Sequence, residues 1–247
     1  MRLDRMGSMH QSRLSFLRQF LRRAAKENWK FNRDLFEINA NGVGRALYRL
    51  STPLRDYTLI CFSHDLPDEM RSDRVIASAW DATFTLYDGR PTLDDLERLE
   101  KHVPHQEEGR LTQNELCLSR ANRSVRLWDY VLDCLSNGNQ PDLDRVRDVG
   151  YLMRTTAVYG SGKFGSADRR VVENREEANS PFQLEMMTVY LIRTFVMDLI
   201  EYLAKIKNPD SAVKLDNSIR RSFGVGNSTG LGMAPFLINH PRLIHNW

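Results

Sequence analysis

The sequence predicts an α+β protein: a small N-terminal antiparallel sheet and a larger C-terminal helical region around a central buried helix at about 182–206. Three observations carry this. Asn41-Gly42, a strong hairpin signal, separates two short β-like runs, and two more follow before residue 90. From Pro91 onward the apolar spacing turns helical. The stretch Phe182–Ile206 is apolar almost all round, the mark of a helix with no solvated face. The chain divides accordingly into a basic amphipathic segment (1–33), a mainly β region (34–90) and a mainly helical region (91–247). The last two are read as one compact unit.

In chain order, residues 12–28 form an amphipathic helix. Ser12 caps it, and Leu14, Leu17, Leu21, Ala24 and Ala25 make one face. Strands are expected at Asp34–Ile38, Arg45–Leu50, Tyr57–Phe62 and Ala82–Tyr87. Thr92 caps a helix over Leu93–His102. Thr112 with Glu115 has capping-box spacing and opens a helix over Gln113–Ser136, which Asn137-Gly138 ends. Asp142 starts another that runs to about Arg154, and Ala167–Ala178 reads as an exposed charged helix. Ser180-Pro181 caps the long one, and Asn208-Pro209-Asp210 ends it. The chain stops at His245-Asn246-Trp247 without a cap or polar tail, which reads as a truncated end.

Composition excludes some classes. The hydrophobic share of 41% and charged share of 27% are those of a globular protein. Three separated cysteines, Cys61, Cys117 and Cys134, lack the spacing of a disulfide framework or zinc site, so a reducing, cytoplasmic-type compartment is expected. Met186–Ala204, the longest greasy stretch, is broken by Arg193, Asp198 and Glu201, so no spanning helix is expected. Net charge is +3, but residues 1–33 hold nine basic residues against Asp4 and Glu27, a local +7. That segment fits nucleic acid, an acidic partner, a membrane surface or a targeting peptide; a solvated helix packing one face on the body fits it as well.

Two glycine-rich loops are suited to anions. Gly160, Gly162 and Gly165 have G-x-G-x-x-G spacing, with Lys163 inside the loop and Arg154 and Arg169 flanking it. Glycine lets backbone N–H groups close on a phosphate or carboxylate, and the cations add charge. A second turn, Gly226–Gly232, offers Asn227 and Thr229 as side-chain partners. Its G-x-x-x-G-x-G spacing, with Tyr159-x-x-x-Lys163, resembles the letters of short-chain dehydrogenases. The order is reversed, the Tyr–Lys pair sits in a glycine loop, and no apolar strand feeds Gly226. The match is read as coincidence, and no family is recognised.

For proton transfer the candidates are His64 and Asp73, in or beside a loop with Arg71 and Arg74. On the expected helix from Gln113, the residues Glu115, Ser119, Asn122 and Arg123 share one face and would line a cleft. His102-x-x-His105 straddles Pro104, so no metal site is assigned. The reading is an enzyme, of unassigned reaction and cofactor, binding a small phosphate- or carboxylate-bearing molecule. The alternative is a non-catalytic protein that uses the basic N-terminal helix to bind nucleic acid or an acidic partner. Self-association stays open.

Overall fold

The computed structural model describes residues 20–70, 79–106, 109, 111–157, 175–178 and 183–227. Within them the dominant element is one curled sheet, not a helical body. Its seven strands are β1 (Lys30–Ile38), β2 (Gly44–Ser51), β3 (Asp56–Asp65), β4 (Trp80–Asp88), β5 (Glu115–Arg123), β6 (Tyr151–Ala157) and β7 (Gly224–Asn227). They lie side by side in chain order. The first six pair antiparallel, and β7 joins β6 in parallel. The helices are α1 (20–26), α2 (Leu93–Glu100), α3 (Trp128–Ser136), α4 (Leu143–Val149), α5 (Gln183–Lys207) and α6 (Asn217–Arg220).

The four expected N-terminal strands form, but the expected division into a small sheet and a helical remainder is overturned. The sheet continues through β5, β6 and β7, deep into the region read as helical. Residues Glu115–Arg123 were expected to be helical and are a strand. The physical reason is burial on both faces. Leu116, Cys117 and Leu118 are all buried, which hides the period-two alternation a half-exposed strand shows. A bulge adds to this: Ser119 faces Phe84 and Cys117 faces Thr85, leaving Leu118 extra. The Thr112–Glu115 spacing does make a local contact, since the Thr112 N–H donates to the Glu115 carboxylate at 2.9 Å. It shapes a turn into a strand rather than a helix start. Likewise the helix from Asp142 stops at Gly150, whose left-handed φ of 76° ends α4 before β6 begins. Of the expected charged helix 167–178, only the last residues are described, and Glu176–Ala178 form a 3-10 turn.

Helix α5 is as long and as buried as its sequence requires, yet it lies across one face of the sheet with α3 beside it rather than inside a bundle. Leu191, Ile192, Phe195, Val196, Leu199 and Ile200 pack against Ala46, Tyr48, Leu59, Phe84 and Leu86 in one core. Its few polar groups are satisfied. Asp198 accepts from Tyr48 Oη at 2.8 Å and from Arg33 at 3.1 Å, and Tyr202 Oη donates to the Ile38 carbonyl at 2.6 Å. The other sheet face carries a second core beneath α2, built from Ile60, Phe62, Tyr87, Leu96 and Leu99. Thr92 and Asp95 form the reciprocal cap that starts α2. Buried Glu115 anchors the same helix through Arg98.

The curl of the sheet is seen where the β1–β2 turn folds over the far strands. Trp80 Nε1 donates to the Gly42 carbonyl at 2.8 Å, and Arg123 Nη2 to the Asn41 carbonyl at 3.1 Å. The Arg123 guanidinium lies over Trp80 and Trp128, with 4.3 and 5.0 Å from Cζ to the ring centroids. Gly42 has φ +80°, and a Cβ there would sit 2.5 Å from Arg123 Nη2. Gly42→Ala is therefore expected to cost about 1–2 kcal/mol in urea denaturation. Wild-type stability in that variant would mean the turn is not seated on Arg123.

Candidate functional site

The site is a row of polar side chains on the sheet face that α2 partly covers, opposite α5. Residues two apart on a strand share a face, and directly paired residues on neighbouring strands share it too. His64 on β3 pairs with Asp81 on β4, while Asn122 on β5 pairs with Arg154 on β6, which pairs with Gly226 on β7. The two halves join where Asn122 Nδ2 donates to Asp81 Oδ1 at 3.2 Å. His64, Asp81, Asn122 and Arg154 thus form one line across four strands. At about 4.8 Å per strand the line is roughly 14 Å long. In the next row Thr83 pairs with Arg120, and beyond it Thr85 pairs with Cys117.

Alternation in Trp80-Asp-Ala-Thr-Phe-Thr85 explains why the polar groups gather here. Trp80, Ala82 and Phe84 enter the α5 core, so Asp81, Thr83 and Thr85 must take the other face. All three are buried. Asp81 Oδ2 accepts from Arg120 Nε at 2.8 Å and Nη2 at 2.5 Å, while Oδ1 accepts from the Ala82 N–H at 3.0 Å. Burial raises the Asp81 pKa above the ordinary carboxylate value against the opposing pull of Arg120. His64 is shifted the other way. Burial, then the fields of Arg120 and His105, draws its imidazole down to about 4, so it is neutral at neutral pH. Both ring nitrogens are buried and make no hydrogen bond of good geometry among the described residues, although the Phe62 backbone lies close enough to oppose the shift. A neutral imidazole offers one donor and one acceptor, and can take up a proton from a group placed against it.

Three of the residues expected from sequence, His64, Asn122 and Arg154, are brought together here. The expected helical stripe is not. Glu115 is on the same face but at its far end, wholly committed to Arg98 and the Thr112 N–H. Arg123 is on the opposite face between two tryptophans, where burial draws its guanidinium down to about 10. Ser119 holds a register position opposite Phe84 and Ala157. A strand replaces the three- and four-residue spacing of a helix with a spacing of two, which separates the four. Asn227 is in β7 opposite Thr155. Asp73, Gly160, Gly162, Lys163, Gly165, Arg169 and Thr229 lie outside the described residues.

Sequence reasoning missed Asp81, Thr83 and Arg120. The first two belong to or adjoin a strand it identified, and their alternation with apolar neighbours was the available signal. Arg120 was assigned to a helix and so could not be paired with β4. The basic N-terminal segment is described only from residue 20. There Phe20 and Ala24 are buried in the α5 core, Arg23 pairs with Glu27 at 2.8 Å, and Arg33 with Asp198 at 3.1 Å. Among the described residues no group of His, Cys, Asp and Glu is arranged to hold a metal ion, and no helix is long and apolar enough to cross a membrane.

Fold and site together define a mixed, curled-sheet protein with a half-buried polar row on the sheet face opposite α5. Comparison with family models, with curated proteins and with solved structures gives no match.

Proposed function

We propose that this row binds a small carboxylate- or phosphate-bearing molecule and that the protein is an enzyme acting on it, with His64 moving a proton. The observation that carries the reading is His64 itself: a half-buried imidazole, neutral at neutral pH, whose two ring nitrogens are buried without a well-formed hydrogen bond among the described residues, in line with Asp81, Asn122 and Arg154. A buried polar group left unpartnered costs about 1–3 kcal/mol, so a fold that keeps one generally uses it. Oppositely shifted acids and bases in one place mark proton-transfer sites.

Each residue has a role in this reading. Arg154 supplies the cation that attracts the anion, and Asn122 a neutral donor beside it. Asp81 fixes the Arg120 fork and the Asn122 amide from within. His64 accepts the proton. Lys163 and the glycines of 160–165 are proposed to close on the same anion, since they follow the end of β6 at Ala157 within a few residues of sequence.

Calorimetric titration with inorganic phosphate and with acetate tests the anion reading. Arg154→Ala is expected to weaken binding at least about tenfold while the fold, followed by circular dichroism, is kept. Lys101→Ala, on the exposed end of α2, should leave it unchanged. Equal affinity in the Arg154 variant would sink the proposal. For catalysis, turnover found in a screen of small phosphorylated and carboxylated compounds should vanish in His64→Gln; turnover that survives would remove His64 from the chemistry.

A further inference from the structure

Two more buried polar atoms lie next to the row, and neither is used by the anion. Thr83 is 2% exposed, and its hydroxyl makes no hydrogen bond among the described residues. Gln106 is 3% exposed, and its amide oxygen accepts from Thr85 Oγ1 at 2.7 Å while its Nε2 is unpartnered among the described residues. Both belong to the polar face. Thr83 stands one register row deeper than Asp81, and Gln106 caps the row after that through Thr85. Their neighbours are apolar: Ile60 and Phe62 occupy the adjacent positions on β3.

We infer that the ligand of this face is two-ended, a small acid of about five carbon atoms whose far end carries a carbonyl or hydroxyl oxygen held by Thr83 and Gln106. This rests on the reading of the row as an anion site. The chemistry of the second end follows from the donors. Gln106 Nε2 can only donate, and a threonine hydroxyl can donate, so the atom that satisfies both is an acceptor. A cation cannot serve, and a second anion is disfavoured because Arg120, the basic residue directly opposite Thr83, is already paired with the Asp81 carboxylate. A neutral oxygen remains. The spacing follows from the sheet. One row along the strand is about 6.8 Å and one strand across about 4.8 Å, so Asn122 and Thr83 are separated by roughly 8 Å of backbone. A hydrogen bond of about 2.9 Å at each end takes up part of this, leaving a span of four or so bonds.

The test uses levulinate, a five-carbon acid with a ketone, and pentanoate, its match without one. Calorimetric titration of the wild-type protein is expected to give levulinate about tenfold the affinity of pentanoate. Thr83→Val and Gln106→Leu, which keep shape and remove the donors, should bring that ratio towards one with pentanoate binding unchanged. Equal binding of the two acids by the wild type, or an unaltered ratio in both variants, overturns the inference and leaves the anion site standing. Binding of neither acid and of no phosphate overturns both. Thermal unfolding supplies a measurement independent of any probe. Thr83→Val should be as stable as wild type or more so, because it removes a buried hydroxyl without a hydrogen-bond partner among the described residues. A clear loss of stability would show that the hydroxyl serves the fold, and the inference would fall.

Discussion

Acidification from pH 6.5 towards 4 is expected to destabilise the protein by about 3 kcal/mol through His64 alone, with about 2 kcal/mol of it reached by pH 5. The sign follows from proton counting. His64 has a folded pKa of about 4 against 6.5 in the open chain, so between those values the unfolded state binds more protons. Stability is therefore full above pH 6.5, falls as the pH drops through the window, and levels off below 4. Asp81 works in the opposite sense, since its raised folded pKa favours the fold on acidification. The readout is accordingly a difference. His64→Gln stays neutral at every pH, so its stability relative to wild type should rise by about 3 kcal/mol across the window. Urea denaturation at about pH 7 and about pH 5 measures most of this. Parallel pH profiles for the two proteins would mean that His64 is not held neutral in the fold, and would weaken its candidacy as the proton carrier.

The second large effect is structural. Phe195→Ala is expected to cost about 3–5 kcal/mol, enough to unfold a marginally stable domain. Phe195 is fully buried at the middle of α5, and its ring meets Tyr48 of β2 and Phe84 of β4 edge-on at centroid distances of 6.3 and 5.7 Å. It therefore joins the long helix to two strands of the sheet. Removing it leaves a cavity that neither a rigid helix nor a paired strand can close. Phe195→Leu should lose markedly less. If the alanine variant unfolds at the wild-type urea midpoint, α5 does not hold the sheet in its curl.

The partial legibility of the sequence has a common cause in burial. Where one face of a segment was exposed, or a turn residue marked its end, the reading and the structure agree. Asn41-Gly42 made the first turn, Thr92 capped α2, Asn137-Gly138 ended α3, and Asn208-Pro209-Asp210 followed α5. Where both faces were covered, the pattern disappeared. Glu115–Arg123 reads as a helix because buried residues sit at consecutive positions and polar ones at spacings of three and four. Packing on two sides allows a strand to carry apolar and polar residues alike on either face.

The candidate site was legible to the same degree. His64, Asn122 and Arg154 could be named from residue type, but their meeting could not. They are 58 and 32 residues apart in the chain. Only the register of β3 through β6 sets them in one line.

The sequence by itself determined the first four strands, the caps and stops of several helices, and the length and burial of α5, because each depends on neighbours a few residues away. The tertiary structure alone decided that the sheet runs on through β5, β6 and β7, that α5 lies across it, and that Asp81, Thr83 and Arg120 join the polar row. Strand pairing between distant segments sets those features, and its energy lies in contacts that no local window of sequence contains.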